Sequence, residues 1–361
     1  MAAEFGTAIA PAKRGEPESG PLDRDDFWVT GQQTLSEIRP SSRDEPGLRL
    51  AALSNDALRP WINWSTLGPP LLGSLASHPG AQLISPPPLE WERRAQWRAA
   101  LGALRRSDSV FWMQSSARPE LPLWLLSATK PTIHRSAFVV DAWRPALTKI
   151  GLLAAAQRLN PCFVAFREAC EELQQRFPRG RFDWLPFGID TDVFRLRGGE
   201  RDVFAYWMGR RHDKLHQALL RYCEERDLVY RYTTVSGEFK DPQDLGALVS
   251  RSRYFVVTPP DLDNPARTGG YSPLVMRYLE GLASGARLLG VLPKSGEFED
   301  LLPRDAICEV EPDGSDLAEK LDADLANAEA WRAVERAGEL VKAEHSWRRR
   351  AEQVYARLSA G

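Results

Sequence analysis

Short β-prone runs recur along most of this 361-residue chain, separated by stretches long enough for a helix. That alternation constrains the fold more than any other feature, because parallel strands need long crossover connections and helices are the usual ones. Residues 48–54, 82–85, 109–116, 131–140, 163–166 and 184–187 make a first series of predicted strands, with predicted helices over 90–106 and 168–177. A second series starts afresh at 203–208 and continues through 229–234, 254–258, 287–291 and 307–310. Its helices are predicted over 214–226, 244–250, 273–284, 315–325 and from 328 onward. The expectation is an α/β protein of two doubly wound units joined near residues 194–201. In such sheets ligands sit at the carboxyl ends of strands, so two facing sheets imply a cleft between them.

Composition narrows the partners. The charge is 47 − 49 = −2, with 43% apolar and 27% charged residues, which suits a globular body with no overall basic excess for nucleic acid. Cys162, Cys170, Cys223 and Cys308 have neither the close paired spacing of zinc sites nor the density of a disulfide scaffold, which fits a reducing compartment. No apolar run reaches the ~18 residues needed to span a bilayer, and the start of the chain lacks the sections of a signal peptide. A cytoplasmic protein is expected. Residues 1–45 are rich in Pro, Gly, Ser and alternating charge, apart from Phe27-Trp28-Val29, and are read as a partly disordered lead.

The most informative stretch is Thr268-Gly269-Gly270-Tyr271-Ser272-Pro273, followed by an apolar run to Ser284 and then Gly285. Ser272 suits an N-cap, Pro273 the first helical position and Gly285 the residue past the end. Two glycines between a strand and a helix can expose amides at a positive helix end, a ready place for phosphate; a flexible connection is the plainer alternative. Glu280 lies two turns in, among Leu274, Val275, Met276, Leu279, Leu282 and Ala283, where a carboxylate is costly without partners. Ribose hydroxyls could be those partners, unless Glu280 faces solvent. Upstream, the run 203–208 leads into Gly209-Arg210-Arg211-His212-Asp213-Lys214, whose cations could hold a diphosphate or form a solvated turn. Asp261-Leu262-Asp263 is read as a polar loop.

These pieces, in order with Leu185-Pro186-Phe187-Gly188-Ile189-Asp190, Phe194, Glu280-Gly281-Leu282-Ala283-Ser284-Gly285 and His345-Ser346-Trp347, resemble family 4 of the retaining glycosyltransferases. The resemblance is strong over residues 181–350 and weaker back to 109. It implies the GT-B fold: two facing Rossmann-like domains with a last helix crossing back to the first. Residues 46–196 would form the acceptor domain, 197–340 the donor domain and 341–361 the crossover helix, with closure hinged near 194–201 and Ser346. The implied activity is metal-independent transfer, with retention, from a nucleotide-diphospho-sugar to a small-molecule, glycan or lipid-linked acceptor, with no cofactor. Arg210 or Arg211 and Lys214 would meet the diphosphate, Gly269, Gly270, Tyr271 and Ser272 would line the donor, and Glu280 would hold the ribose.

Within the 131–140 run, Lys130-Pro131-Thr132-Ile133-His134-Arg135 is read as a strand ending in a histidine, and the resemblance places His134 at the transferred sugar as a catalytic residue. Three departures from the family pattern stand out. Ser272 occupies the first position of a frequent glutamate pair, the spacing from Gly209 to Lys214 is one residue short, and Asn63-Trp64-Ser65-Thr66-Leu67-Gly68-Pro69 lacks a Gly-Gly turn. An epimerase of the same fold would need extra acid and base carboxylates in the cleft, and a non-catalytic nucleotide- or partner-binding protein is the other alternative. Arg94, Arg98 and Arg105 share one helix face and could rest on the inner face of a membrane, or simply cover a packed helix.

Overall fold

The computed structural model describes residues 48–54, 67–87, 90–116, 120–233, 239 and 241–360. The chain divides into two units, 1–44 and 45–361, and all described residues belong to the second. The lead 1–45, most of the 63–69 segment and residues 234–238 lie outside the described residues.

The first half alternates β1 (Leu50–Leu53), α1 (Gly68–Ala76), β2 (Ala81–Ile84), α2 (Arg94–Arg106), β3 (Ser109–Ser115), α3 (Leu121–Ala128), β4 (His134–Val140), α4 (Leu147–Gln157), β5 (Leu159–Val164), α5 (Arg167–Arg176) and β6 (Phe182–Trp184). Its strands form one parallel sheet in the order β2-β1-β3-β4-β5-β6. Every residue of β3 is buried, as expected when helices cover both faces. Helix α1 is absent from the sequence reading, as are α3 and α4. The sequences of the last two, LPLWLLSA and LTKIGLLAAAQ, are apolar nearly all round, so they carry little of the 3.6-residue periodicity that marks a helix. On α2, Ala100 and Leu104 are buried while Arg94, Arg98 and Arg105 are exposed.

The second half comprises β7 (Val203–Trp207), α6 (Asp213–Glu224), β8 (Tyr230–Tyr232), α7 (Pro242–Arg251), β9 (Ser252–Val257), the single turns α8 (Pro260–Asp263) and α9 (Pro265–Thr268), α10 (Met276–Ala283), β10 (Arg287–Gly290), α11 (Glu297–Leu301), β11 (Ile307–Glu309), α12 (Leu317–Leu325), α13 (Ala328–Glu344) and α14 (Trp347–Ser359). The sheet order is β11-β10-β9-β7-β8, again parallel. One face packs on α10 and α13 through Tyr206, Phe255 and Leu288, the other on α6 and α12 through Trp207, Tyr254 and Leu289.

Two crossings tie the halves together side by side. Ser346 caps α14 by accepting the Arg349 N–H at 3.2 Å, breaking the helix after Glu344 as the His-Ser-Trp interruption suggests. Ile189 of the outgoing strand exchanges backbone hydrogen bonds with His345 and Trp347 of the returning one, at 2.9 and 3.0 Å. A Cβ on Gly188 would stand 2.7 Å from the Trp347 ring, so the glycine of Pro-Phe-Gly-Ile-Asp is required by this close approach. Helix α14 then joins the first domain: Trp347, Ala351 and Val354 enter its core and Tyr355 donates to the Pro79 carbonyl at 2.7 Å.

Candidate functional site

The two sheets meet at their carboxyl ends. From the first domain, β4 runs out at Asp141, whose backbone is left-handed (φ 54°). A non-glycine residue held there is strained, and such strain concentrates at functional sites. Its carboxylate stands 3.3 Å from Arg267 of the second domain. Burial lifts the Asp141 carboxyl above its usual value, although the charges of Arg267 and Arg210 pull the other way.

This corrects the expectation for His134. That residue opens β4 rather than closing it: it pairs with Ser109, the first residue of β3, and is exposed at the amino edge of the sheet, away from the cleft. The strand continues through Val139-Val140, so its carboxyl end is six residues later.

From the second domain, β7 ends at Trp207 and the chain turns at Gly209 (φ 84°), where a Cβ would lie 2.9 Å from an Arg277 nitrogen. Arg210 is exposed, and its charge acts on both Asp141 and Asp263. Arg211 points elsewhere: its guanidinium donates to the Thr233 carbonyl at 2.5 Å and lies over the Tyr232 ring at 4.7 Å. Arg211 is thus engaged within its own domain, while Arg210 stands exposed near Asp141 and Asp263. Lys214 is exposed at the start of α6, and its charge reaches Asp313.

The glycine loop is placed as expected but wired differently. Gly269 is left-handed (φ 64°), and a Cβ there would come within 2.8 Å of Pro145 and 2.9 Å of Arg144 across the cleft; Gly270 (φ 90°) faces open space. Tyr271 reaches into the first domain's core and its hydroxyl donates to the Glu172 carboxylate. Ser272 is not the cap of α10: that helix starts at Met276 after Val275, and the Ser272 hydroxyl accepts the Lys294 N–H at 3.1 Å. The loop amides expected for phosphate are partly taken by the chain's own carboxylates. Glu168 accepts the Ser272 N–H at 3.2 Å, and Glu297 accepts Leu274 N–H and, from the other domain, Arg167 N–H, both at 2.7 Å. Burial raises the Glu297 carboxyl to about 7 against the pull of those two amides.

Behind the loop, Glu280 is only 5% exposed, and its Oε2 is buried with no partner. Burial lifts its carboxyl to about 7, opposed by Arg277. Nearby on the same wall, Asp263 Oδ1 and His212 Nδ1 are also buried without partners, as is Asp261 Oδ1, whose other oxygen sits 3.3 Å from Lys294. Asp263 feels the charges of Arg277, His212 and Arg210, which places these groups together. The Asp-Leu-Asp stretch, read as a polar loop, is therefore a wall of the cleft; the signal that could have found it was its position directly after β9. Buried polar atoms without partners are rare in native proteins, and several on one wall beside cations need hydroxyl or amide groups from outside. Among the described residues no group of three His, Cys, Asp or Glu side chains could hold a metal ion, and no helix is long and apolar enough to cross a membrane.

Residues 203–356 match the family model described as glycosyl transferase-like, which spans the second sheet and most of α14. No curated protein matches the chain in sequence. Among solved structures the fold is similar to that of Alr3699/HepE from Anabaena in complex with UDP-glucose, with a TM-score of 0.50 and 10% identity over 86% of this chain and 99% of that one. AviGT4, a glycosyltransferase involved in avilamycin A biosynthesis, aligns at 17% identity over 87% of this chain and 98% of its own, TM-score 0.46. A point mutant of TarM from S. aureus, in complex with fondaparinux, alpha-GlcNAc-glycerol and UDP, aligns at 10% identity over 72% of this chain and 59% of that one, TM-score 0.47. The architecture is two facing Rossmann-like domains with a helix crossing back, the GT-B arrangement.

Proposed function

We propose that this chain is a retaining, metal-independent glycosyltransferase that takes a sugar from a nucleotide-diphospho-sugar bound against its second domain. The observation that carries the reading is the wall of buried, unpartnered polar atoms, Glu280 Oε2, Asp263 Oδ1 and His212 Nδ1, beside the cations Arg210 and Arg277. A nucleotide sugar offers what such a wall lacks: ribose and sugar hydroxyls to donate to the carboxylates, and a diphosphate to meet the cations. The glycosyl transferase-like match covers the same residues. Glu280 takes the ribose, and Arg210 with Lys214 takes the diphosphate. Asp141, at the true end of β4, faces the transferred sugar in the place that the resemblance gives to His134. In the transfer, the bond from the anomeric carbon to the diphosphate breaks and its electron pair leaves with the phosphate. The acceptor oxygen bonds the same face, and its proton passes to the departing phosphate. Fixed cations favour this by stabilising charge that grows on the leaving group.

A thermal-shift and calorimetric panel of UDP, GDP, ADP, CMP and dTDP, with and without EDTA, tests the reading. One nucleotide should bind independently of chelator, and Glu280→Ala should weaken it by roughly 1.5–3 kcal/mol, or ~10- to 100-fold. Unchanged affinity in that variant removes the ribose role. Arg210→Ala should weaken the diphosphate more than Arg211→Ala does.

A second reading, epimerisation of a nucleotide sugar on the same fold, gains from Asp141 and Asp263, two carboxylates acting on the same Arg210. Incubating the donor without any acceptor separates the two, since an epimerase changes the sugar and a transferase leaves it on the nucleotide.

A further inference from the structure

A cavity of about 1100 Å³ lies at the opposite edge of the first sheet, walled by the amino ends of β4, β5 and β6 and the last turns of α4 and α5. Ile133, Leu159, Phe177 and Phe182 give it apolar walls. Arg158, Arg179 and Arg181 stand around it exposed, and none forms an ion pair with a described residue, whereas Arg176 is engaged by Glu172. A fourth cation, Arg135, lines the cavity while only 6% exposed. It donates only to neutral groups: the Ser127 hydroxyl at 3.0 Å and the Ser127 and Lys130 carbonyls at 3.1 and 3.2 Å. Burial and the like charge of Arg158 both disfavour its cationic form. A buried guanidinium without a carboxylate, facing further unpaired guanidiniums over apolar walls, is costly unless an anion completes it. The acids near this edge are already committed, Asp108 to Arg49 and Lys130 and Glu172 to Arg144 and Arg176.

We infer that this cavity is a second binding site, separate from the interdomain cleft, for a phosphorylated amphiphile: an apolar chain or ring carrying a phosphate or diphosphate. The surplus of several cationic charges favours a multiply charged phosphate over a single carboxylate, and guanidiniums grip phosphate oxygens in forked pairs. The apolar walls exclude a purely ionic ligand such as inorganic phosphate as the best fit. Arg158 and Arg176 also stand at helix carboxyl ends, where cations stabilise the helix alone. That structural role would change the melting temperature but not ligand binding.

The test is calorimetry on the full chain with geranyl diphosphate, geraniol and inorganic diphosphate. Geranyl diphosphate should bind most tightly and weaken with salt. The double variant Arg158→Gln, Arg181→Gln should lose at least tenfold in affinity while staying folded, with no more than the small drop in melting temperature expected at a helix end, and keeping its nucleotide affinity. Absence of geranyl diphosphate binding, equal binding of geraniol, or unchanged affinity in the double variant overturns the site. Loss of binding when nucleotide saturates the protein, or in Glu280→Ala, overturns it as well by assigning the ligand to the cleft.

Discussion

At Glu280 a carboxyl sits on an apolar helix face with one oxygen unpartnered, so its proton depends on what occupies the cleft. Burial raises its carboxyl to about 7, and hydroxyl donors from the proposed ribose would favour the charged form. The sign follows: with Glu280 as the proposed ribose ligand, nucleotide affinity should be fully present above about 7 and fall as pH drops through it. Calorimetry from mildly acidic to mildly alkaline pH should show that slope, and Glu280→Gln should flatten it. The nucleotide's own phosphate titrates equally in both proteins, so the difference between them isolates the residue. His345 illustrates the opposite shift, lowered to about 4 by burial and by Arg350. It is a neutral imidazole that accepts from Arg350 at 2.7 Å and donates to the Leu301 carbonyl at 3.0 Å.

Among the elements, β10 is anchored by charge as well as by apolar packing. Arg287, at its start, makes two 2.6 Å hydrogen bonds to Asp324 at the end of α12, with the side chains 5% and 8% exposed. Tyr254 of β9 donates to the same carboxylate at 2.9 Å. Removing one partner strands the other charge, so Asp324→Ala should cost about 3–5 kcal/mol in denaturant unfolding, whereas an exposed pair such as Arg332 with Glu329 should cost under ~1. The end of α10 shows how far local sequence reaches. Gly285 (φ 74°) and Ala286 donate back to Leu282 and Gly281, both at 2.9 Å, the Schellman closure that a glycine permits.

For the whole molecule, Glu297 is the main polar clasp between domains, because its two oxygens each hold an amide from a different one. Glu168 with Ser272, Tyr271 with Glu172, and Arg167 with Asp300 at 2.5 Å surround it. Glu297→Ala leaves one buried and one half-buried N–H group without acceptors, the buried one costing roughly 1–3 kcal/mol. Small-angle scattering should then show a more open molecule, and donor turnover should fall more than nucleotide affinity. An unchanged radius of gyration would mean that the returning α14 alone sets the domain geometry.

The alternation of strands and helices, the break at Ser346 and the end of α10 at Gly285 were all legible in the sequence, because each rests on neighbours a few residues apart. Burial of Glu280 was left open by the sequence: the apolar residues around it pointed inward, while a solvent-facing glutamate was the plainer alternative, and packing decided it. The start of α10 was not legible: Ser272-Pro273 is a good local cap, but Lys294 and Glu297, distant in sequence, claim Ser272 and the Leu274 amide. The predicted strand 131–140 does end where β4 ends, at Val140, but the strand starts at His134, so the reading of that histidine as a strand end failed. The engagement of Arg211 by Tyr232 and Thr233, which leaves Arg210 exposed, likewise depends on residues about twenty positions away. Sequence by itself determined the alternating α/β architecture and most of its strands, through short-range propensity and spacing, but not the apolar helices that carry little periodicity. Tertiary structure alone decided which polar atoms face each other across the cleft, because burial and charge act between residues that are close only after folding.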